Sequence, residues 1–218
     1  MEVYKTDEEQ AEALKRWLRE NGLSLITGLL LGLALLFGFK GWTEYQQRQA
    51  EQASNLYTQF TSARAQGLDA ANQHYDTLTK DFSSSEYAVL AALDMAKAQI
   101  EKDDLAATRA HLQWALDHAR SEAVKLTARL RLARVMLSAG EFEAAEKLIA
   151  GVADPSFAPL YEELRGDIAA ARGDLGAAHA AYVRALEAMP EDQVFQARAV
   201  VEAKRDDSVR QSASGQGS

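Results

Sequence analysis

One uncharged stretch near the N-terminus constrains the fold of this chain more than any other feature. Residues Asn21–Phe39 are nineteen consecutive positions without Asp, Glu, Lys or Arg, and they are rich in Leu. A helix of that length covers roughly 28 Å, which matches the hydrocarbon core of a lipid bilayer. Trp17 precedes the stretch and Trp42 and Tyr45 follow it, where aromatic residues anchor at the two membrane interfaces. The pattern predicts a transmembrane helix over 23–39.

A buried core helix and a cleaved signal peptide are the two alternatives to a membrane span. A core helix of this length would normally carry one polar face. A signal peptide needs a short basic start and a small-residue cleavage site, whereas residues 1–22 contain six acids and no A-x-A site follows. The chain therefore fits an uncleaved anchor better than either alternative.

Basic residues on the two sides of the span predict its orientation. Four precede it and two fall in the twenty residues after it: Lys5, Lys15, Arg16 and Arg19, then Lys40 and Arg48. This bias predicts a cytoplasmic N-terminal segment, 1–22, and an exported domain, 40–207. Within the span, Ser24, Gly28 and Gly32 recur every four residues. They share one helix face, which predicts close contact with another transmembrane helix.

Composition excludes several classes of protein. The 218 residues include 24 basic and 32 acidic side chains, so the net charge is −8, and no basic run suggests nucleic-acid binding. The cysteine count of 0 excludes disulfides, thiolate metal sites and cysteine nucleophiles. We expect no nucleic acid among the partners.

The sequence after the span repeats itself. Segments that begin at Asp103, Gly140 and Gly173 share a turn residue, then an acid, an apolar residue, a small residue and a large one. The first two starts lie 37 positions apart and the last two 33, close to the 34-residue tetratricopeptide repeat of helix–turn–helix units. The last copy matches that family's pattern best, through Gly166, Gly173, Ala178, Tyr182, Ala185 and Pro190.

These signals predict an all-α protein, with a single transmembrane helix followed by a tetratricopeptide-like α-solenoid of about four helix pairs. The alternative is a generic helical bundle. The predicted pairs cover 47–66/69–80, 86–101/104–118, 122–138/141–151 and 158–172/175–188. A capping helix over 191–205 would bury the stripe Val194, Phe195, Ala199 and Val200 against the open end. The small polar tail, 208–218, is predicted to be disordered.

No residue constellation indicates catalysis. The four histidines are His74, His111, His118 and His179, and the closest pair lies seven positions apart, without the i, i+4 spacing of zinc pairs. No nucleophile elbow, P-loop or dinucleotide fingerprint occurs in the sequence. We expect no catalytic residue, no cofactor and no metal.

A binding surface is the remaining interpretation. In helical solenoids, stacked repeats create an extended concave surface that binds partners. The positions that face this groove in tetratricopeptide arrays correspond to Leu90, Leu93, Lys97, Thr127, Leu130, Arg134, Leu160, Glu163 and Asp167. This mixture of apolar and charged side chains suits an extended peptide or a partner helix, although each could instead pack against a neighbouring pair.

The whole chain resembles the ancillary SecYEG translocon subunit (YfgM) family. The resemblance covers the acidic start MEVYKTDEEQAEALKRWLRENG, the Gly- and Leu-rich span, and the segments LRLARVMLSAGEFEAAEKLI and LRGDIAAARGDLGAAHAAY. It implies a single-span protein of the bacterial inner membrane with a periplasmic tetratricopeptide-like domain. It also implies association with the SecYEG translocon and the membrane-anchored chaperone PpiD, in the handling of unfolded exported proteins, and no catalytic residue.

Two other functions stay open. One is a homo-oligomeric scaffold, assembled through the small-residue face of the span and through domain contacts. The other is an adaptor for an envelope-signalling or cell-division complex. Neither would bind unfolded clients, which is the property that distinguishes them from the chaperone-like function.

Overall fold

The computed structural model describes residues 7–190 and 195–215, with side chains over 9–190 and 197–213. Within these residues the chain forms nine helices and no strand, which confirms the all-α prediction. Their bounds are α1 Asp7–Arg64, α2 Leu68–Asp81, α3 Glu86–Ile100, α4 Leu105–His118, α5 Glu122–Ser138, α6 Phe142–Ile149, α7 Ala158–Ala171, α8 Leu175–Ala188 and α9 Phe195–Gly215.

The first helix is longer than any predicted element. α1 has 58 residues and joins the predicted N-terminal segment, the span and the first helix of the repeat domain without a break. Few helix-stopping residues occur after Phe39, where Gln, Glu, Arg and Ala favour continuation. Of the residues described, only this helix is long and apolar enough to cross a membrane, with a mean hydropathy of 2.2 and none of that window buried. The chain divides into two compact units, Met1–Gln52 and Ala53–Ser218.

The turns inside the last three helix pairs form where the repeat pattern predicts them. Asp103, Gly140 and Gly173 adopt φ values of 60°, 77° and 80°, in the left-handed region that Gly enters freely and Asp tolerates. In two of these turns the following acid begins the next helix. The Asp104 carboxylate accepts a hydrogen bond from the Ala107 N–H at 2.9 Å, and Asp174 does the same for Ala177.

The small and large positions of the repeat pack as expected. The small residues Thr108, Ala145 and Ala178 are fully buried, and the large residues that follow are at most 3% exposed: Leu112, Ile149 and Tyr182. From α2 to α9, consecutive helices pack on one another, and α5 also contacts α7. Glu86 on α3 links the second and third pairs. One oxygen of its carboxylate accepts hydrogen bonds from the backbone N–H groups of Arg120 and Ser121, just before α5, at 3.0 and 2.9 Å.

The two helices of the last pair approach each other closely at Gly166. A Cβ added to Gly166 on α7 would lie 2.5 Å from Cδ1 and 2.9 Å from Cζ of Tyr182 on α8. Such separations are far shorter than a van der Waals contact. The Gly and Tyr positions of the repeat therefore act as a pair, in which the aromatic ring packs directly on the helix backbone.

The C-terminal helix differs from its prediction in extent and in the side it buries. α9 continues to Gly215, so the tail that we expected to be disordered from 208 is helical as far as it is described. Val201 and Ser208 are buried at 1% and 4% exposure, whereas Ala199 and Val200 are exposed. The predicted buried positions Ala199 and Val200 were thus wrong, and the buried Val201 lies one residue further along, which turns a helix by about 100°. Residues 191–194 and the Phe195 side chain lie outside the described part.

Candidate functional site

Two of the predicted groove residues belong to the protein core. Leu93 packs with Val89, Leu112 and Leu132, and its side chain is only 8% exposed. Leu130 is 4% exposed and packs in the cluster around Tyr161. Both therefore stabilise the stacking of helix pairs. They are core residues, contrary to the prediction that they bind a partner. A leucine's position in the repeat does not by itself distinguish the groove from the adjoining helix interface.

The remaining seven predicted residues define what we call the groove face: Leu90, Lys97, Thr127, Arg134, Leu160, Glu163 and Asp167. Leu90 on α3 and Leu160 on α7 are 37% and 38% exposed, which is unusual for large apolar side chains in this domain. Lys97 is also exposed. The Thr127 hydroxyl donates a 2.8 Å hydrogen bond to the Ala123 carbonyl of its own helix, so its donor is already used.

The groove face ends in an ionic network that includes the C-terminal helix. Lys204 on α9 donates hydrogen bonds to Glu163 Oε1 at 2.7 Å and to both oxygens of Asp167, at 2.8 and 2.9 Å. Arg134 lies 3.6 Å from the other oxygen of Glu163, and the Tyr182 hydroxyl donates to Asp167 Oδ1 at 3.0 Å. Both carboxylates are therefore neutralised from within the chain.

The pKa values in this network follow from burial and charge. Burial lowers the pKa of Lys204, but hydrogen bonds and charge from Asp167 and Glu163 outweigh burial and hold it above its usual value. Burial is also the largest cause that raises the pKa of Tyr182, and the Asp167 charge adds to it. The lysine thus stays charged and the tyrosine stays a donor throughout the neutral range.

The sequence analysis missed Lys204 because no local signal marks it. Its partners lie 37 and 41 positions earlier in the chain. The contact depends on how α9 packs on the last pair, which a stripe misplaced by one residue could not predict. A second omission is the aromatic contact between Tyr57 on α1 and Tyr87 on α3, whose rings lie 5.7 Å apart. Tyr87, Leu90 and Lys97 share the helical spacing of one α3 face.

The histidines do not converge on a site. His111 Nδ1 lies 2.9 Å from the Tyr75 hydroxyl, and the His118 ring stacks on Trp114 with 4.0 Å between ring centroids. Over the residues described, no group of three or more His, Asp or Glu could hold a metal ion. The His111 contact joins α4 to α2, and the His118 contact lies within α4.

The small residues of α1 stay exposed in the structure. Ser24, Gly28 and Gly32 are all accessible, and a Cβ added at either glycine would meet nothing within 4 Å. Their role as a contact for another transmembrane helix remains a prediction.

The structure defines a class of protein, a tetratricopeptide-like helical repeat protein that carries a helix long enough to span a membrane. A family model described as a tetratricopeptide repeat-like domain matches residues 15–209. A protein of Haemophilus influenzae (strain ATCC 51907 / DSM 11121 / KW20 / Rd) is 33% identical over 84% of this chain and 90% of its own length. One of Escherichia coli (strain K12) is 30% identical over 84% of this chain and 88% of its own length.

A more distant relative, from Neisseria gonorrhoeae (strain ATCC 700825 / FA 1090), is 26% identical over 89% of this chain and 94% of its own. All three relatives carry the name ancillary SecYEG translocon subunit. This chain belongs to that family, as the resemblance in the sequence indicated. No solved structure shows significant similarity to it.

Proposed function

We propose that this protein is an ancillary subunit of the Sec translocon. It is held in the bacterial inner membrane by α1, with the domain from Ala53 onward in the periplasm. The observation that carries this proposal is the identity of 30–33% to two proteins named ancillary SecYEG translocon subunit, over 84% of the chain. The membrane-length helix supports it, because an anchor keeps the domain beside the exit of the translocon and raises its effective concentration there.

The function is protein binding rather than catalysis. The tetratricopeptide-like fold and the names of the relatives suggest a non-catalytic adaptor. Part of the groove face is exposed and combines apolar and basic side chains. It consists of Leu90 and Lys97 on α3 and Leu160 on α7. It suits short segments of newly exported proteins or a helix of a membrane-anchored chaperone such as PpiD. The acidic end is already neutralised by Lys204, so partners bind mainly at the α3 end.

The periplasmic orientation has a direct test, because the chain contains no cysteine. Single variants Glu12→Cys and Ser84→Cys place one thiol on each side of the predicted span, at exposed positions. In spheroplasts, a membrane-impermeant maleimide should label the Ser84→Cys variant at once and the Glu12→Cys variant only after permeabilisation. The reverse pattern would place the domain in the cytoplasm and remove the proposed function.

Partner binding is tested by photocrosslinking in membranes. A photoreactive residue at Leu90 or Leu160 should yield adducts with translocon subunits, with PpiD or with exported chains. Leu105 on α4 is the matched control, since it is a leucine of the same 38% exposure as Leu160 but belongs to the second helix of its pair. Equal adducts at Leu105 would contradict a role for the groove face.

A homo-oligomeric scaffold is the alternative that the same experiment separates. If adducts at Leu90 and Leu160 contain only a second copy of the chain, the scaffold is the function. Deletion of residues 1–40 provides a second readout, because loss of the anchor should abolish copurification with the translocon. Unchanged copurification would mean that α1 does not position the domain.

A further inference from the structure

The third helix pair has an unusually short second helix. α6 has 8 residues, whereas α4 and α8, the second helices of the neighbouring pairs, have 14 each. The missing length is about 9 Å at 1.5 Å per residue. Beside the end of α6, a cavity of about 630 Å³ opens between α6, α7 and α8. This α6–α8 cleft falls within the roughly 300–1,000 Å³ range of ligand sites.

The cleft has a floor of apolar residues and three arginines in its lining. Ile149, Ile168 and Ala181 belong to the buried floor. Three arginines line the cleft. Arg165 lies on α7, Arg172 follows the last residue of α7, and Arg184 lies on α8. Three arginines around one cavity are notable in a chain whose net charge is −8.

The acids that line the cleft are already engaged. Asp174 accepts a hydrogen bond from the Ala177 N–H as the cap of α8, so its carboxylate is held by the helix. Glu146 pairs with Arg172 at 2.7 Å. Neither acid is therefore positioned to bind a basic ligand without first giving up its present partner.

The three arginines differ in how firmly they are held. Arg165 pairs with Glu162 and donates to the Ile149 and Val152 carbonyls, both at 3.4 Å, where the end of α6 leaves carbonyls without helical partners. It is a structural part of the wall. Arg172 and Arg184 are 42% and 52% exposed. Arg172 contacts two exposed glutamates, Glu146 at 2.7 Å and Glu143 at 3.7 Å, whereas Arg184 pairs at 2.8 Å with Glu162, which is only 17% exposed and also pairs with Arg165. Exposed pairs such as those of Arg172 contribute little to stability, so a ligand can replace these glutamates. Glu162 keeps Arg165 as its partner when Arg184 turns to a ligand.

We propose that the α6–α8 cleft binds a carboxylate presented by a short peptide of small and apolar residues. Arg172 and Arg184 bind the carboxylate, because a guanidinium matches its two oxygens in a bidentate pair. Ala150 and Ala177, which line the cleft and are exposed, contact the apolar part of the peptide. The site is separate from the groove face, since Arg165 and Glu163 lie two positions apart on α7 and so point to roughly opposite sides of the helix. The inference does not depend on the proposed function.

The test uses the full chain in detergent micelles and fluorescence anisotropy with labelled seven-residue peptides of Ala, Ser and Leu. One peptide ends in a free carboxylate, the second in an amide, and the third is amidated with Glu at its last position. We expect the first or the third to bind and the second to bind at least tenfold more weakly, as expected for loss of a charged hydrogen bond. Preference for the first indicates a chain terminus, and preference for the third indicates an acidic side chain.

The variant Arg172→Gln/Arg184→Gln should weaken binding of the preferred peptide at least tenfold. The matched control is Arg120→Gln/Arg131→Gln, which removes two exposed arginines outside the cleft and should leave the affinity unchanged. Arg184→Lys keeps the charge without the bidentate geometry and should fall between them. Equal affinity for the three peptides, equal loss in both double variants, or no binding of any peptide would overturn the proposal. Circular dichroism melts verify that each variant is folded.

Discussion

The Tyr161 hydroxyl donates a 2.8 Å hydrogen bond to the main-chain carbonyl of Leu126, and this bond joins α7 to α5. The two side chains are buried, at 1% and 3% exposure. α5 and α7 are the first helices of consecutive pairs, so the bond sets how the last pair stacks on the one before it. Burial raises the pKa of Tyr161 to about 12, and the hydroxyl therefore remains a donor through the neutral range.

Tyr161→Phe should lower the free energy of unfolding by about 1 kcal/mol, the usual net contribution of one buried hydrogen bond. The ring stays, so the packing of its cluster is preserved. Denaturant unfolding of the full chain, followed by circular dichroism, measures the change. Tyr45→Phe is the control, because Tyr45 is 55% exposed and belongs to the N-terminal unit. Equal effects of the two changes would mean that the Leu126 contact has no special value.

Gly166→Ala should destabilise the last helix pair by about 1–3 kcal/mol, as overpacking does in well-packed interiors. The added methyl would overlap the Tyr182 ring, and backbone on one side and a buried ring on the other leave little room to relax. The combination with Tyr182→Leu should recover part of the loss, which a double-mutant cycle detects.

Gly176→Ala is the matched control for this change. It is also a helical glycine of the same pair, but a Cβ there would lie 3.7 Å from the Asp174 carboxylate, an ordinary contact. Since Ala favours helix over Gly, the variant should be as stable as the parent or more so. A loss at Gly176 as large as that at Gly166 would show that the ring contact is not the cause.

Substitutions at Gly173 should follow the cost of the left-handed conformation. With φ at 80° and nothing near the position of a Cβ, only the backbone opposes a side chain there. Gly173→Ala should cost about 1–2 kcal/mol, and Gly173→Asn less, because Asn tolerates this region as Asp103 does in the second pair. Thermal melts of the two variants rank them. An Asn variant less stable than the Ala variant would contradict the reason given.

Lys204→Met should destabilise the protein by about 1–2 kcal/mol, less than for a fully buried pair because a third of the lysine side chain is exposed. The change leaves Glu163 and Asp167 close together with Arg134 as the remaining nearby cation. Lys204→Arg should retain most of the stability. Salt screens repulsion between the carboxylates, so the loss should shrink at 1 M NaCl. A loss that does not depend on salt would point to packing of the lysine stem instead.

The sequence predicted the features that depend on neighbouring residues. The turn at Gly140, the cap at Asp174 and the burial of Thr108 and Ile149 each follow from local spacing, and the structure confirms them. The bounds of α2–α5, α7 and α8 agree with the predicted ranges to within one residue at each end for the same reason, whereas α6 ends at Ile149, two residues before its predicted end. Local chemistry therefore sufficed for the repeat itself.

The features that depend on packing between distant segments were harder to predict. Leu90 and Leu93 both lie on α3 and differ by three positions, yet one is exposed and the other belongs to the core. The contact of Lys204 with Glu163 spans 41 positions and depends on the rotation of α9. The cleft beside α6 forms where α6 has 8 residues while α4 and α8, the second helices of the neighbouring pairs, have 14. The predicted range 141–151 was longer than α6 and did not indicate this difference.

The stability of the protein should decrease as the pH falls from 7 toward 5, and His111 should contribute to this decrease. Burial lowers the pKa of His111 below its usual 6.5, although the charge of Asp104 opposes the shift. The neutral ring can accept the hydrogen bond from the Tyr75 hydroxyl, 2.9 Å away. Because the unfolded chain binds the proton at a higher pH than the folded one, stability that is present above about pH 6.5 is lost as the pH falls from that value through the lower pKa of the folded chain.

His111→Gln should reduce the difference in unfolding free energy between pH 7 and pH 5, since the side chain no longer takes up a proton. Carboxylates titrate in the lower part of the same range, so the comparison between parent and variant isolates the histidine. His118→Gln is the control, because that ring is exposed and stacks on Trp114 at the surface. A reduction as large as that of the His111→Gln variant would mean that the buried contact with Tyr75 is not the cause. An unchanged pH dependence in the His111→Gln variant would mean that the buried ring is protonated equally in the folded and unfolded chains.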